Sequence, residues 1–266
     1  MLEQKFDMHC HSKEGSFDAH VPVDEFARIL KSKGFSGMIL TDHDSYGGYY
    51  HYLKEKDNLE FPEDFIILKG VEYSTRNAGH FICIIPDGVQ SDHLQVKGMT
   101  AVQLEQEVHI LGGILGPAHP YMPGNWAFCN TKFGRANMDF LKKVDFIETY
   151  NSTMNPIYNV KAEILAARFG KPGTGGSDAH FTKDVGNGFV TFPGADIRCN
   201  NDIISAIKEG RAPVSGGEIT AKMLKRRNAF FQKIMDGSYH TFNTFAALKN
   251  KKRLNKINSK TRNSEV

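Results

Sequence analysis

The sequence is poor in cysteine and tryptophan and contains no long apolar run. Its four cysteines, Cys10, Cys83, Cys129 and Cys199, are scattered and form no CxxC pair. Neither a disulfide framework nor a cysteine-based zinc ribbon is therefore expected. No stretch of about 18 apolar residues predicts a membrane span. The first residues, MLEQKFD, lack the apolar segment of a secretory signal, so we predict a soluble cytoplasmic protein with reduced thiols.

Charge is distributed unevenly along the 266 residues. From Ile219 onward twelve Lys and Arg face two acids, whereas the preceding part carries an excess of acids, although the whole chain has a net charge of +3. With 40% hydrophobic residues, a chain of this length can bury a sizeable core. We predict one catalytic body at residues 1–218 and a basic extension at residues 219–266. The extension is expected to be helical to about Leu248 and disordered from Lys249.

Short apolar runs alternate with amphipathic segments along the body. We predict strands within residues 36–42, 65–72, 80–86, 112–120, 144–151, 171–178 and 186–192, each followed by a loop. Helices are expected within residues 22–35, 99–113, 155–171 and 201–211, with Thr100 as an N-cap and Gly170 ending the third helix. This alternation predicts a mostly parallel sheet covered by helices.

Imidazole and carboxylate residues gather where the predicted strands begin or end. They are His9 and His11 in DMHCHS, Asp42, His43 and Asp44 in TDHD, Glu72 in GVE, His80 in GH, His119 in PAHP, and Asp178 with His180 in SDAH. Each motif alone is more typical of a turn, a helix cap or a solvated strand. Together they predict one metal cluster, because the carboxyl ends of parallel strands meet at one face.

The residue types of this cluster restrict the ion. A set of nitrogen and oxygen ligands without cysteine suits Zn²⁺, Mn²⁺ or Fe²⁺, and Mg²⁺ is less favoured. Strand alternation places His9 and His11 on one side and Cys10 on the other. We therefore expect two to three divalent ions.

The ordered motifs DMHCHS, TDHD, GVEYS, GH, PAHP and SDAH resemble those of the PHP family, the polymerase and histidinol phosphatase superfamily of metal-dependent phosphoesterases. The resemblance covers residues 5 to about 218. It implies an α/β fold, a distorted seven-stranded (β/α)7 TIM-like barrel, here with a C-terminal helical extension. It also implies a function, the metal-dependent hydrolysis of phosphoesters.

The resemblance further implies a ligand set. His9, His11 and Asp178 would hold a first ion, Glu72 would bridge to a second ion held by His80 and His119, and His43 and His180 would hold a third. Asp18 in SFDAHVPVDEF is the preferred remaining ligand of the third ion, and His20 is the alternative. Asp7 and Asp42 are expected to orient ligand imidazoles.

Catalysis and substrate recognition follow less directly. His180, His43 or a water on the third ion would protonate the leaving group, and a metal-activated hydroxide would attack the phosphorus. The expected substrate is a small phosphorylated molecule or a nucleotide, and the residues that we assign to its binding are Arg76, Lys183, Arg135 and Asn151. The aromatic loops at residues 47–53 and 121–128 are expected to border the cavity.

Three alternatives remain at this point. An exonuclease or oligonucleotide-end phosphodiesterase would use the basic extension to contact nucleic acid. A histidinol-phosphatase-like enzyme is the second, and a metal-bearing module without activity is the third.

Overall fold

The computed structural model describes residues 3–211, 213–218, 241 and 243–256. Its strands are β1 (Lys5–Cys10), β2 (Gly37–Leu40), β3 (Ile66–Lys69), β4 (Val71–Ser74), β5 (His80–Ile84), β6 (Ile114–Pro117), β7 (Ile147–Asn151), β8 (Gly173–Gly176), β9 (Gly188–Thr191) and β10 (Val214–Gly217). Its helices are α1 (Val23–Ser32), α2 (Gly47–Glu55), α3 (Ala101–Ile110), α4 (Lys132–Ala136), α5 (Pro156–Phe169), α6 (Asn200–Lys208) and α7 (243–256).

The strands form three sheets. The first has the order β10-β9-β1-β2-β3, the second β4-β5-β6 and the third β7-β8. The pairs β1/β2, β2/β3 and β7/β8 are parallel. The pairs β1/β9, β9/β10, β4/β5 and β5/β6 are antiparallel.

The predicted seven-stranded (β/α)7 TIM-like barrel is therefore wrong. Among the described residues, no sheet closes into a barrel, and the sheets are mixed rather than mostly parallel. Only residues 75–79 connect β4 to β5. Five residues are too few for a crossover helix, so these two strands must be antiparallel. The predicted strand at residues 65–72 also divides at Gly70, and its second half pairs with β5 rather than with β2.

The helices mostly agree with the sequence pattern. Thr100 caps α3 in a capping box with Gln103, and Gly170 ends α5 with a φ of 62°, as a left-handed C-cap requires. The loop predicted at residues 47–53 is wrong, because these residues form α2. The Gly48 N–H, in the first turn of α2, donates a hydrogen bond to Asp42 at 3.2 Å. The start of the helix is therefore stabilised by a residue that lies outside the helix.

The C-terminal extension is described only in part. Residues 243–256 are helical, so the helix continues past Lys249, where the sequence predicts disorder. The helix predicted from Ile219 and the rest of the predicted disordered end lie largely outside the described residues. The division into a body at 1–218 and an extension at 219–266 stays a prediction. No described helix has the length and apolar character needed to cross a bilayer.

The sheets bring the ends of separate strands to one place. Ala179, just after β8, forms a parallel bridge with Cys10 at the end of β1, and His43, after β2, bridges in parallel to Glu72 in β4. Beneath these ends, Phe6, Met8 and Cys10 are fully buried. The polar residues at the strand ends therefore lie next to a packed apolar core.

Candidate metal centre

Glu72 lies at the middle of a group of imidazoles. Its carboxylate is buried, and its oxygens contact ring nitrogens from five histidines: His43 Nδ1 at 2.8 Å, His80 Nδ1 at 2.9 Å, His119 Nε2 at 2.9 Å, His9 Nε2 at 3.5 Å and His11 Nε2 at 3.5 Å. These histidines come from β1, β5 and the loops after β2 and β6. Residues from four separate segments thus converge on one carboxylate.

His9, His11 and Asp178 form the deepest part of the group. The Nε2 atoms of His9 and His11 are 3.2 Å apart, and Asp178 Oδ1 lies 3.6 Å from the first and 3.3 Å from the second. Cys10 points to the opposite side of the strand, where its thiol donates to the Ile39 carbonyl at 3.3 Å. The alternation expected from the sequence is present in β1.

His43, His180 and Asp18 form the part nearest to solvent. Asp18 Oδ2 lies 3.6 Å from His43 Nε2 and 3.5 Å from His180 Nε2. The alternative residue, His20, is exposed, and its ring stacks on Phe181 at 4.7 Å. The structure therefore places Asp18, and not His20, beside the pair of histidines.

Several sets of three side chains bring one ligand atom each to within 4.8 Å of one another. They are His9, His11 and Asp178; His9, Glu72 and His119; His43, Glu72 and His80; and His11, His43 and His180. The sets share His9, His11, His43 and Glu72, so neighbouring positions share ligands. This is the arrangement expected of adjacent divalent ions bridged by a carboxylate.

The pKa values of the metal-free group shift in both directions: those of Glu72, Asp178, His11 and His80 are lowered, whereas, against the effect of burial, neighbouring carboxylates raise those of His9, His43, His119 and His180. Burial, together with the charges of His43 and His180, lowers the pKa of His11 to about 3. Burial raises the pKa of Glu72, but the charges of His80 and His9 outweigh it and hold that pKa well below its usual value. A neutral imidazole with a free lone pair and an ionised carboxylate are the forms that bind a metal. The residues present therefore fit a centre of divalent ions.

Asp42 and Asp7 support the group in ways other than those predicted. Asp42 accepts a hydrogen bond from the Ser16 hydroxyl at 2.9 Å, and the same hydroxyl lies 3.3 Å from Nδ1 of His11. Asp42 thus acts on the imidazole through Ser16. Asp7 makes no hydrogen bond to an imidazole of the described residues: it accepts from the backbone N–H of His9 at 3.2 Å and of Ser177 at 2.9 Å. It joins the ends of β1 and β8.

Glu148 belongs to the group, although no sequence motif predicts it. This residue of β7 is buried, its Oε1 lies 2.8 Å from Nδ1 of His9, and its Oε2 accepts from the backbone N–H of His119 at 2.5 Å. Asn151, predicted to bind substrate, is instead buried and donates to Glu148 at 3.2 Å and to Asp178 at 3.1 Å. The sequence does contain one signal for these two residues, because an acid and an amide both occur in the short predicted strand IETYN.

Positive φ angles occur at three residues of this region, with φ 49° at Asp44, 30° at His119 and 50° at Asp178. Such conformations are strained for residues other than glycine and persist only where neighbouring contacts impose them. The Asp178 N–H donates to the His9 carbonyl at 2.7 Å, and the Asp44 N–H donates to the Glu72 carbonyl at 3.0 Å. Strain is thus concentrated where the carboxylates and imidazoles meet.

A cleft of about 740 Å³ opens above the group. Its lining comprises Phe17, Asp18, His43, Glu72, Ser74, His80, Lys97, His119, Met122, Trp126, Asp178, His180 and Asn243. Lys97, which the sequence analysis did not single out, supplies a cation, and its Nζ lies 3.2 Å from Asp44 Oδ2. Met122 and Trp126 come from the predicted aromatic loop at residues 121–128 and do border the cavity.

The three cations predicted for substrate binding lie outside this cleft. Arg76 is exposed and lines a second cavity beside α7. Arg135 donates to the Asn130 carbonyl, in a third cavity. Lys183 is exposed and lies over the Phe181 ring at 5.7 Å. Their positions outside the cleft depend on tertiary packing that the local sequence does not encode.

Comparison with known proteins gives a family-model match over part of the chain and a shared fold. Residues 156–212 match the family model described as PHP-associated. No curated protein matches the chain in sequence. Among solved structures, PsfC from Pseudomonas syringae PB-5123 has a TM-score of 0.60 and 18% identity, over 91% of this chain and 99% of PsfC.

Two further solved structures resemble the chain. A two-domain protein from Bacteroides vulgatus ATCC 8482, described as containing a predicted PHP-like metal-dependent phosphoesterase, has a TM-score of 0.54 and 19% identity over 81% of this chain, which spans 65% of that protein. A protein from Bifidobacterium adolescentis ATCC 15703, described as a metal-dependent phosphoesterase, has a TM-score of 0.53 and 15% identity over 76% of this chain and 96% of its own.

At these identities the structural likeness establishes a shared fold. The ordered motifs and the family-model match are independent of it, because they come from the sequence. Together the motifs, the match at residues 156–212 and the shared fold confirm the resemblance of this chain to the PHP superfamily of metal-dependent phosphoesterases.

Proposed function

We propose that this protein is a metal-dependent phosphoesterase that releases phosphate from a small phosphomonoester or a nucleotide. The observation that carries the proposal is the contact of the single Glu72 carboxylate with five imidazoles, next to the ionised Asp178. The likeness to proteins described as metal-dependent phosphoesterases supports the same reaction class.

The residues fall into three metal-binding sets. His9, His11 and Asp178 are proposed for one ion, Glu72 with His119 and His80 for a second, and His43, His180 and Asp18 for a third. When bound, divalent ions would supply an activated hydroxide and would neutralise charge on the phosphoryl oxygens. Zn²⁺, Mn²⁺ and Fe²⁺ are the proposed ions, because imidazole and carboxylate ligands suit them.

The protein itself contributes positioning and proton transfer. Glu148 holds the His9 ring in one orientation and fixes the backbone of the loop that carries His119. Lys97 lines the cleft and places a positive charge near the incoming phosphate. With the third metal position empty, His43 or His180 would be the proton donor to the leaving group, because both line the cleft and face the Asp18 carboxylate, which stabilises a protonated ring. With that position filled, these rings would be ligands, and a water on the third ion would be the proton donor.

The test is metal analysis followed by measurement of phosphate release. Protein reconstituted separately with Zn²⁺, Mn²⁺, Fe²⁺ or Mg²⁺ is assayed with 4-nitrophenyl phosphate, mononucleotides, nucleoside bisphosphates, sugar phosphates, bis(4-nitrophenyl) phosphate and a single-stranded oligonucleotide. We expect bound metal and turnover of monoesters, both abolished by a chelator. Metal-loaded protein that is inert toward every monoester would overturn the proposal. Turnover of the oligonucleotide or diester alone would favour the nuclease alternative.

A further inference from the structure

The C-terminal helix α7 contributes one polar side chain to the cleft. Asn243 lies in the first turn of the described helix and is 3% exposed. Its neighbours in the cleft lining include Lys97, Met122 and Trp126. Neither its Oδ1 nor its Nδ2 has a hydrogen-bond partner in the part of the chain that the structure describes. Asn243 therefore lines the cleft, and its amide group is buried and unpaired.

Specific contacts hold α7 in this position. Gly98 has a φ of 142°, and a Cβ at this residue would lie 2.8 Å from Leu254 Cδ1 and 3.5 Å from the Ala247 Cα. The absence of a side chain thus lets the helix approach the backbone closely. Asn250 Nδ2 donates to the Lys97 carbonyl at 3.2 Å. The helix is therefore attached to the same segment that supplies the cleft cation.

The unpaired amide is unusual in physical terms. Most buried side-chain polar atoms in native proteins have a hydrogen-bond partner, because burying an unpaired polar group is unfavourable. A structural asparagine would meet this requirement with protein partners, as Asn200 does with the carbonyls of Lys69 and Ile85. Asn243 has no such partner among the described residues, and it lines the cleft, so a ligand in the cleft is the natural source of its partners.

The chemistry of that ligand follows from the amide and its surroundings. An asparagine amide offers one acceptor and two donors in one plane. It pairs best with a planar group that carries an adjacent donor and acceptor, such as a carboxamide or the edge of a nucleobase. Trp126 and Met122 give the same cleft apolar surfaces against which such a planar group can pack.

We propose that Asn243 recognises the leaving group of the substrate, and that this leaving group carries a planar donor–acceptor edge. The proposal rests on the proposed phosphoesterase function, since it concerns the part of the substrate away from the phosphate. It makes α7 part of the substrate site. Asn243 is then a specificity residue, distinct from the imidazoles and carboxylates that carry the chemistry.

The test uses two pairs of substrates that differ in this edge. Because a carbamoyl group also makes the phenol a better leaving group, the readout is the change of preference in Asn243→Leu relative to the wild type. One pair is 4-carbamoylphenyl phosphate and phenyl phosphate, and the other is AMP and purine riboside 5′-monophosphate, which lacks the exocyclic amine. Wild-type protein should prefer the first member of at least one pair. The pair that shows the preference tells whether the ligand edge is a carboxamide or a nucleobase. Asn243→Leu should lower kcat/KM for that member about 10-fold, the loss expected for a ligand hydrogen bond. The other member should change less than about twofold.

Asn255→Leu is the matched control, because Asn255 lies on the same helix, is exposed and faces a different cavity. Asn243→Asp keeps an acceptor and removes both donors, so it should also lose the preference for the first member of the pair. A melting curve checks that each variant is folded. An equal fall of kcat/KM for both members of a pair, or wild-type protein without a preference in either pair, would overturn the proposal.

The proposal also has a readout that does not need turnover. Calorimetric binding of benzamide and adenosine to the wild type and to Asn243→Leu measures recognition directly. If no phosphate is released from any compound, the phosphoesterase function fails, while a loss of binding in Asn243→Leu still supports the role of Asn243. If phosphate is released but Asn243→Leu binds and turns over every compound as the wild type does, only the role of Asn243 fails.

Discussion

Nδ1 of His9 lies 2.8 Å from Oε1 of Glu148, a residue that is 139 positions later in the chain. Both side chains are fully buried. The carboxylate can accept the Nδ1 proton, and Nε2 faces Asp178 and Glu72 at 3.6 Å and 3.5 Å. With a metal bound, this arrangement would leave the Nε2 lone pair for the ion. A hydrogen bond on the far nitrogen is the usual means of fixing the tautomer of a metal-binding imidazole.

Glu148→Ala should therefore weaken metal binding. Removal of a carboxylate that orients a ligand imidazole commonly lowers metal affinity about 10- to 100-fold, and Glu148→Gln, which keeps an acceptor oxygen, should lose less. Competition with a chromophoric chelator measures the affinity. Glu163→Ala removes an exposed glutamate and serves as the control. Equal affinities for wild type and Glu148→Ala would contradict the orienting role.

The residues proposed as direct ligands should be more sensitive still. His11→Ala and Asp178→Asn should lose bound metal and reduce turnover more than about 100-fold, while their circular dichroism spectra stay native. Asparagine is chosen at position 178 because, like aspartate, it tolerates the positive φ of 50° there. His51→Ala, in α2 and away from the cleft lining, is the control for the loss of an imidazole. Full activity in either ligand variant would rule out the assignment.

The sequence predicts most of the centre because its members sit at strand ends. His9, His11, Glu72, His119 and Asp178 are found together as expected. The sheet arrangement was predicted wrongly, since alternation of strands and helices does not distinguish a mixed from a parallel sheet. The short link at residues 75–79 was the one local sign of antiparallel pairing.

Residues without a local motif were the ones missed. Glu148 lies inside a strand, so its role depends on which strand packs beside β1. Lys97 and Asn243 meet in the cleft only because α7 packs against Gly98. Such contacts depend on tertiary packing, and no short stretch of sequence encodes them.

The Asp18 and His180 pair should be visible in metal-free protein. Burial lowers the pKa of His180, but the hydrogen bond to Asp18 and the charges of Asp178 and Asp18 outweigh it and raise that pKa to about 9. Burial raises the pKa of Asp18, but His180 and His43 bring it to about 2. The stabilisation from this pair should be complete between about pH 4 and pH 6.5, and should be lost as the pH falls toward 2 or rises toward 9.

NMR titration of the histidine rings, with a chelator present, measures this effect. Asp18→Asn should lower the pKa of His180 toward the ordinary value of about 6.5, although Asp178 still acts on the ring. Asp57→Asn, an exposed residue of the body, is the control. A His180 pKa that is the same in Asp18→Asn and wild type would show that Asp18 does not face this ring.

Asp7 should make the metal-free protein less stable as the pH rises. Burial raises the pKa of this carboxyl to about 7, against the hydrogen bonds from Ser177 and His9 that lower it. Its unfolded value is about 4. Between about pH 4 and pH 7 the folded state therefore keeps a proton that the unfolded state has released, so a rise in pH favours unfolding.

Asp7→Asn removes this titration and keeps an oxygen that can accept from the His9 and Ser177 N–H groups. Its free energy of unfolding, measured by urea denaturation from pH 4 to pH 8 with a chelator, should fall less steeply with pH than that of the wild type. Asp7→Ala should be less stable than Asp7→Asn by about 2 kcal/mol, because it leaves buried N–H groups unpaired. Asp57→Asn should follow the wild-type curve, since it changes an exposed carboxylate. Parallel curves for wild type and Asp7→Asn would mean that Asp7 is ionised throughout this range, and the two backbone N–H groups would then be held by a charged carboxylate.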